Sequence, residues 1–216
     1  MRVVSAKNIL PVIHWRLYKE FGPQHWWPAE SPFEVIVGTI LTQNTNWLNV
    51  EKAIGNLRAA NCLCANKIKN ISSVKLAKLI RPSGYYNIKV KRLKSFIRFL
   101  FEKYGGSLPQ MFKASLSKLR CELLAVKGIG PETADSILLY AGGKPIFVVD
   151  TYTKRILARH NILGSKDDYK TVQDIFMRNL KPQVRLFNEF HALLVRVGKD
   201  FCKKKPLCNL CPLKGI

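Results

Sequence analysis

Acidic residues are scarce in this 216-residue chain. Fourteen Asp plus Glu stand against thirty-six Lys plus Arg, which leaves a formal charge of +22 and a pI near 10.0. That imbalance exceeds what solubility requires and makes a polyanion the expected partner, nucleic acid before any other. A membrane surface is the competing polyanion, but no lipidation signal is visible and the basic residues run along the whole chain. Long apolar stretches are lacking too: no run of roughly eighteen apolar residues exists, so no transmembrane helix is predicted. The opening residues, Met1-Arg2-Val3-Val4-Ser5-Ala6-Lys7, are broken by charge and by Pro11 too early for a secretory signal. The six cysteines are therefore read as thiols of a reducing, intracellular compartment (cytoplasm or nucleoid), available to metal. No internal repeat and no low-complexity linker separates parts of the chain, and Lys144-Pro145 is its clearest punctuation.

A hydrophobic content of 47% supports a packed core and argues against disorder. Period-two alternation is scarce, so an all-α fold of seven to eleven helices with short loops is predicted. Ser31-Pro32 ahead of Phe33–Leu41 is a cap followed by proline at the first helical position. Leu93, Phe96, Ile97, Leu100, Phe101 and Tyr104 form one apolar stripe that ends at Gly105-Gly106. Lys89, Lys91, Arg92, Lys94, Arg98 and Lys103 fill the rest of that helix, a basic face expected in solvent or against DNA. Phe187, Phe190, Leu194 and Val197 mark a late helix leading into a cysteine cluster.

Lys127-Gly128-Ile129-Gly130 separates two apolar helical patterns, Leu119–Val126 and Ile137–Leu139. Two glycines permit a tight turn, and Pro131 starts the next helix where a missing N–H is harmless. Backbone N–H groups at such a helix N-terminus suit a phosphate oxygen without reading any base. Sixteen residues past Ala134 comes Asp150, after Phe147-Val148-Val149 and before Thr151-Tyr152-Thr153. Locally it is an N-cap. Capping and catalysis are compatible, because a helix N-terminus favours negative charge, and a carboxylate beside a sugar can stabilise an oxocarbenium-like transition state or orient water.

At these residues the chain resembles the helix-hairpin-helix DNA glycosylase superfamily, whose familiar branch is the endonuclease III-like enzymes, and the resemblance covers nearly the whole chain. It implies that Asp150 is catalytic, since the family's aspartate lies eighteen residues beyond a hairpin position and Asp150 lies eighteen beyond Glu132. That hairpin position is lysine in the bifunctional members. Glutamate there removes the amine needed for a Schiff base and β-elimination, which implies a monofunctional enzyme. Trp26-Trp27-Pro28, then Leu41-Thr42-Gln43-Asn44-Thr45, then Arg81-Pro82-Ser83-Gly84-Tyr85-Tyr86-Asn87 are similar to the 3-methyladenine DNA glycosylase III branch. By that similarity Trp26, Trp27, Pro28, Trp47 and Glu132 line a pocket for a flipped base, and Gln43 fills the gap the base leaves. Aromatic faces there suit a cationic alkylated purine. Lys127, Gly128, Ile129, Gly130 and Thr133 are expected on DNA.

Cys202, Cys208 and Cys211 are separated by five and then two residues, a metal-type spacing that resembles the iron–sulfur loop of endonuclease III-like enzymes. The first gap is one residue shorter than the usual pattern, and a fourth cysteine would be due just after Ile216. A 4Fe–4S cubane takes four thiolates. Either a residue is missing, another ligand completes the site, or the cluster has decayed. Zinc is the alternative, with His191 a candidate fourth ligand. A metal here would be structural, pinning Lys203, Lys204 and Lys205 against phosphates.

The expected architecture is a two-lobed, all-α helix-hairpin-helix glycosylase fold. Residues 25–144 would form a central six-helix lobe. Residues 1–24 and 145–216 would form a second lobe with the cysteine loop at 202–216, and the DNA would lie in the cleft between them. The expected activity, by a monomer on double-stranded DNA containing a damaged base, is hydrolysis of the glycosidic bond of an alkylated purine. Two alternatives stay open: an endonuclease III-like glycosylase with lyase activity on oxidised or mismatched bases, and a non-catalytic lesion-binding protein.

Overall fold

The computed structural model describes residues 6–164 and 167–216. Twelve α-helices and no strand occur among the described residues. In chain order they are α1 (Ala6–Phe21), α2 (Pro32–Thr42), α3 (Trp47–Ala59), α4 (Ala65–Asn70), α5 (Ser73–Ile80), α6 (Tyr86–Tyr104), α7 (Leu108–Lys113), α8 (Leu116–Leu124), α9 (Pro131–Ser136), α10 (Thr151–Arg159), α11 (Tyr169–Asn179) and α12 (Val184–Asp200). The count exceeds eleven because the six-residue α4 and α7 carry too little periodic pattern to be read from sequence. The fold is all-α in two lobes. One unit is Ala29–Gly143; the other joins Met1–Pro28 to Lys144–Ile216. The first boundary thus falls after Pro28 instead of near residue 25. Lys199 Nζ sits over the Trp26 ring at 5.8 Å, which continues the Gln24 bonds to Glu189 and Arg196 and ties this strap to α12.

Within Ala29–Gly143, six helices have eight or more residues once α9 is counted with the π-helical turn Ile137–Ala141 that continues it. Serine starts four of the eight helices of this unit. Ser31, Ser72, Ser107 and Ser115 each accept from the backbone N–H three residues on, and Asn46 does the same for α3. Helix α2 is buried on nearly every side from Phe33 to Leu41, as the central helix of a core must be. It packs on α3, α6 and the π turn.

Helix α6 ends as its pattern predicts: Gly105 takes a positive φ of 61°, and the N–H groups of Gly105 and Gly106 return to Phe101 and Leu100. Its basic face does not behave as expected. Lys89 is 1% exposed; Lys94 Nζ caps the C-terminal end of α4 by donating to the carbonyls of Ile68, Lys69 and Ile71 at 2.7, 2.9 and 2.6 Å. Arg92 donates to Gln43. Of the six cations, Lys91, Arg98 and Lys103 remain exposed.

In the other unit α1, α10 and α11 gather on α1–α12 and α10–α12 contacts, with α12 as the common partner of α1 and α10. Phe187, Phe190, Leu194 and Val197 on α12 are fully buried, each contributing about 1.5–3 kcal/mol of burial energy. Phe147 stacks on Phe176 with centroids 3.7 Å apart and meets Phe187 and Phe190 edge-on. This aromatic cluster fixes the buried segment Ile146–Val149 that leads into Asp150. Gln173 Nε2 donates to Phe147 O at 2.7 Å and anchors its backbone.

Candidate active site and nucleic-acid interface

Asp150 is the N-cap of α10. Its Oδ1 accepts from the Thr153 N–H at 2.7 Å, and its side chain is 11% exposed. The other oxygen, Oδ2, lies 3.8 Å from Nε2 of His191, which α12 carries into the core. Burial pushes the His191 imidazole below its ordinary range, and the Asp150 charge opposes that shift without reversing it. His191 is therefore a neutral ring beside a carboxylate. Sequence reasoning considered it as a zinc ligand; the structure sets it against Asp150 and Phe147 instead. Its spacing on the buried face of α12, four residues after Phe187 and one after Phe190, was the available signal.

The hairpin joins α8 to α9 through Val126–Gly130. Arg120 on α8 makes a two-pronged bond to the fully buried Asp135 on α9, at 2.7 and 3.0 Å, which locks the two helices together. Only one of the two glycines needs its freedom. Gly128 has φ +91°, and a Cβ on it would collide with Arg92 Cγ; Gly130 is extended at φ −93° with open space around it. Lys127, Gly128 and Gly130 are exposed. Ile129 has its side chain buried and its N–H donated to Val126 O. Glu132 is exposed in the first turn of α9, and Thr133 is buried.

Gln43, just past the end of α2, belongs to this hairpin. Its Nε2 donates to Gly128 O at 3.1 Å and to Thr133 Oγ1 at 2.9 Å, and its Oε1 accepts from Arg92. The sequence places Arg92 on a basic face toward solvent or DNA and Gln43 apart from the hairpin; the bonds that join the three were not legible in it. The candidate pocket residues are described by segment. Trp26 and Trp27 are half-buried, edge-to-face with centroids 5.4 Å apart, and Lys199 Nζ sits 5.8 Å over Trp26. Pro28 is exposed beside them. Trp47 is half-buried at the start of α3, and its Nε1 donates to Glu51 at 2.6 Å.

The cysteine loop is held by α10. Arg155 donates to the carbonyls of Cys202 and Gly198 at 2.7 and 2.8 Å. Arg159 donates to Cys202 Sγ at 3.1 Å and to the carbonyls of Lys203 and Lys204 at 2.6 and 3.1 Å. Lys203, Lys204 and Lys205 are exposed. Cys202 is buried, Cys208 exposed and Cys211 half-buried. Burial, with Cys202 and Cys208 nearby, pushes the Cys211 thiol up. Among the described residues no group of three or more His, Cys, Asp or Glu is arranged to hold a metal ion. The loop thus does not fit a single ion as arranged, and it supplies three of the four thiolates a cubane takes.

Residues 37–182 match the family model described as HhH-GPD superfamily base excision DNA repair protein. The chain is 49% identical over 196 residues to a Methanocaldococcus jannaschii protein provisionally named a DNA repair glycosylase, covering 90% of this chain and 89% of that one. It is 32% identical to endonuclease III of Thermotoga maritima over 92% of this chain and 87% of the relative. The solved structure of H. pylori 3-methyladenine DNA glycosylase bound to 1,N6-ethenoadenine is 31% identical, with a TM-score of 0.78 over 91% of this chain and 98% of that one. With its hairpin, its capped aspartate and these likenesses, the chain belongs to the HhH-GPD superfamily, the DNA glycosylases of base excision repair.

Proposed function

We propose that this glycosylase is monofunctional: it swings a damaged base out of double-stranded DNA, hydrolyses the N-glycosidic bond and leaves an abasic site. One observation carries the enzymatic part, the mostly buried Asp150 carboxylate fixed by a helix N-terminus on one oxygen and flanked by His191 on the other. A fixed carboxylate stabilises the oxocarbenium-like centre that forms as the C1′–N bond breaks. The bonding pair leaves with the base, water oxygen adds to C1′, and the water proton passes to Asp150 and then to solvent.

An alkylated purine such as 3-methyladenine is the first substrate, because a positively charged base already leaves well without a strong general acid. The aromatic faces of Trp26 and Trp27 beside Pro28, and separately the face of Trp47, each suit such a ring. The purine adduct held by the H. pylori relative supports the same choice. Gln43 would occupy the vacated stack. Phosphates would meet Lys127, Gly128, Gly130 and the first turn of α9 at Thr133, and separately Lys203, Lys204 and Lys205, while Glu132 would line the base pocket. Glu132 in place of an amine supports hydrolysis without lyase chemistry. Cys202, Cys208 and Cys211 would supply three of the four ligands of a structural 4Fe–4S cluster, tested by iron and sulfide content and a broad visible absorbance; colourless protein with bound zinc would replace that assignment.

The deciding experiment is a base-release screen over alkylated, oxidised and deaminated duplexes, with borohydride added to abasic-site DNA in parallel. Free alkylated purine with no covalent adduct is expected. A trapped adduct would favour the second reading, an endonuclease III-like lyase, which the name of the Thermotoga relative supports. Tight lesion binding with no base released would reduce the chain to a lesion-binding protein.

A further inference from the structure

We infer that Arg92 is a positioning residue that locks the Gln43 amide onto the hairpin, so that phosphate docking and stack filling act as one rigid element. The inference rests on the roles proposed above for Gln43 and the hairpin. A primary amide offers two N–H donors and a carbonyl oxygen. In Gln43 the nitrogen is engaged by Gly128 O and Thr133 Oγ1, and the oxygen by Arg92. The backbone of Gln43 has left the helix, with φ −55° and ψ 117°, so α2 does not restrain this side chain.

Helix α6 holds the residue twice. Three positions before Arg92, the buried Lys89 donates to Leu41 O at 2.7 Å and to Ser83 O at 2.6 Å, which fixes the backbone two residues ahead of Gln43. Arg92 then fixes the side chain while its own aliphatic stem lies across Gly128. The guanidinium is a flat, forked donor, and a lysine ammonium does not reproduce its aim. An amide ordered before DNA arrives loses no rotamer freedom at the encounter, the usual gain from preorganisation. A cation that merely attracted phosphate would have no reason to touch Gln43 and the turn together.

The test uses the full chain with Arg92→Lys, Arg92→Met and Gln43→Ala. Single-turnover release is measured from one alkylated purine placed in duplex and in single-stranded oligonucleotides. Expected is a duplex rate about ten- to a hundredfold lower for Arg92→Met, little rescue by Arg92→Lys, and an unchanged rate on single strands, where no stack needs filling. Joining Arg92→Met to Gln43→Ala should lower the duplex rate no further than either change alone. Equal losses on both substrates, additive losses, or full rescue by lysine would overturn the inference. The lock is also read without substrate: side-chain amide 15N relaxation of Gln43 should report an ordered group in the parent and a mobile one in Arg92→Met. Equal order in both proteins would sink the inference by itself, whereas a parent that releases no base sinks only the proposed activity.

Discussion

Asp150 and Asp168 perform the same local task. Each caps a helix, each is followed three residues later by threonine, and each accepts that threonine's N–H at 2.7 Å. Their surroundings differ. Asp168 stands in solvent, its carboxyl held below the ordinary range chiefly by its bonds to Thr171, with Lys154 and Lys170 adding to the effect. Asp150 is delivered by a buried segment and faces a buried neutral histidine. Capping chemistry is therefore common to both, and what sets Asp150 apart is supplied by α12 and the aromatic cluster. The same lesson holds for Lys89 and Lys91, two residues apart on α6, one fully buried on two carbonyls and the other exposed.

The largest expected effect breaks the first comparison outright. Asp150→Asn keeps a good cap and should cut single-turnover base release about a hundredfold or more while duplex affinity is retained. Asp168→Asn should leave release unchanged. Equal behaviour of the two variants would end the catalytic assignment of Asp150.

The lysine pair comes next. Burial, then the Arg92 charge, brings the Lys89 ammonium from 10.5 down to about 8. Between about pH 8 and 10.5 the unfolded chain binds this proton and the folded chain does not. Stability linked to Lys89 is thus fully present above 10.5 and is lost as pH falls through about 8. Comparing unfolding of the parent and Lys89→Met across that window should show the gap move in the parent's favour by up to about 3 kcal/mol. Lys91→Met should show no such slope.

His191→Asn sharpens the first comparison from the histidine side. A drop of about tenfold in release with unchanged duplex affinity is expected if the ring restrains the Asp150 carboxylate; unaltered rates would make it packing only. Smallest is the acid limb of stability. Because the Asp168 carboxyl is lowered from 3.8, its contribution is present above that value and lost as pH falls through the lowered one. Asp168→Asn should slightly flatten the fall in Tm below pH 4, read by thermal melts.

Much of the framework was legible because it follows local rules. Ser31-Pro32 starts α2, Gly105 ends α6, and Gly128 with Pro131 builds the hairpin, all from residues a few positions apart. The unit boundary at Lys144 coincides with the Lys-Pro punctuation. What was illegible depends on distant partners. Lys89 finds its acceptors at residues 41 and 83, so nothing near it in the chain distinguishes it from a solvated lysine. His191 meets Asp150 only through the packing of α10 on α12. Ile129 sits inside a motif read as DNA-facing, yet turn geometry sends its side chain inward.

Gly128 and Gly130 look interchangeable in the primary structure, yet natural drift at this turn should be lopsided. Any larger residue at 128 would displace the stem of Arg92 as well as strain its own backbone, so a single codon there reaches the turn, Arg92 and the Gln43 amide together. Position 130, with ordinary torsions and empty space, is where lineages can wander.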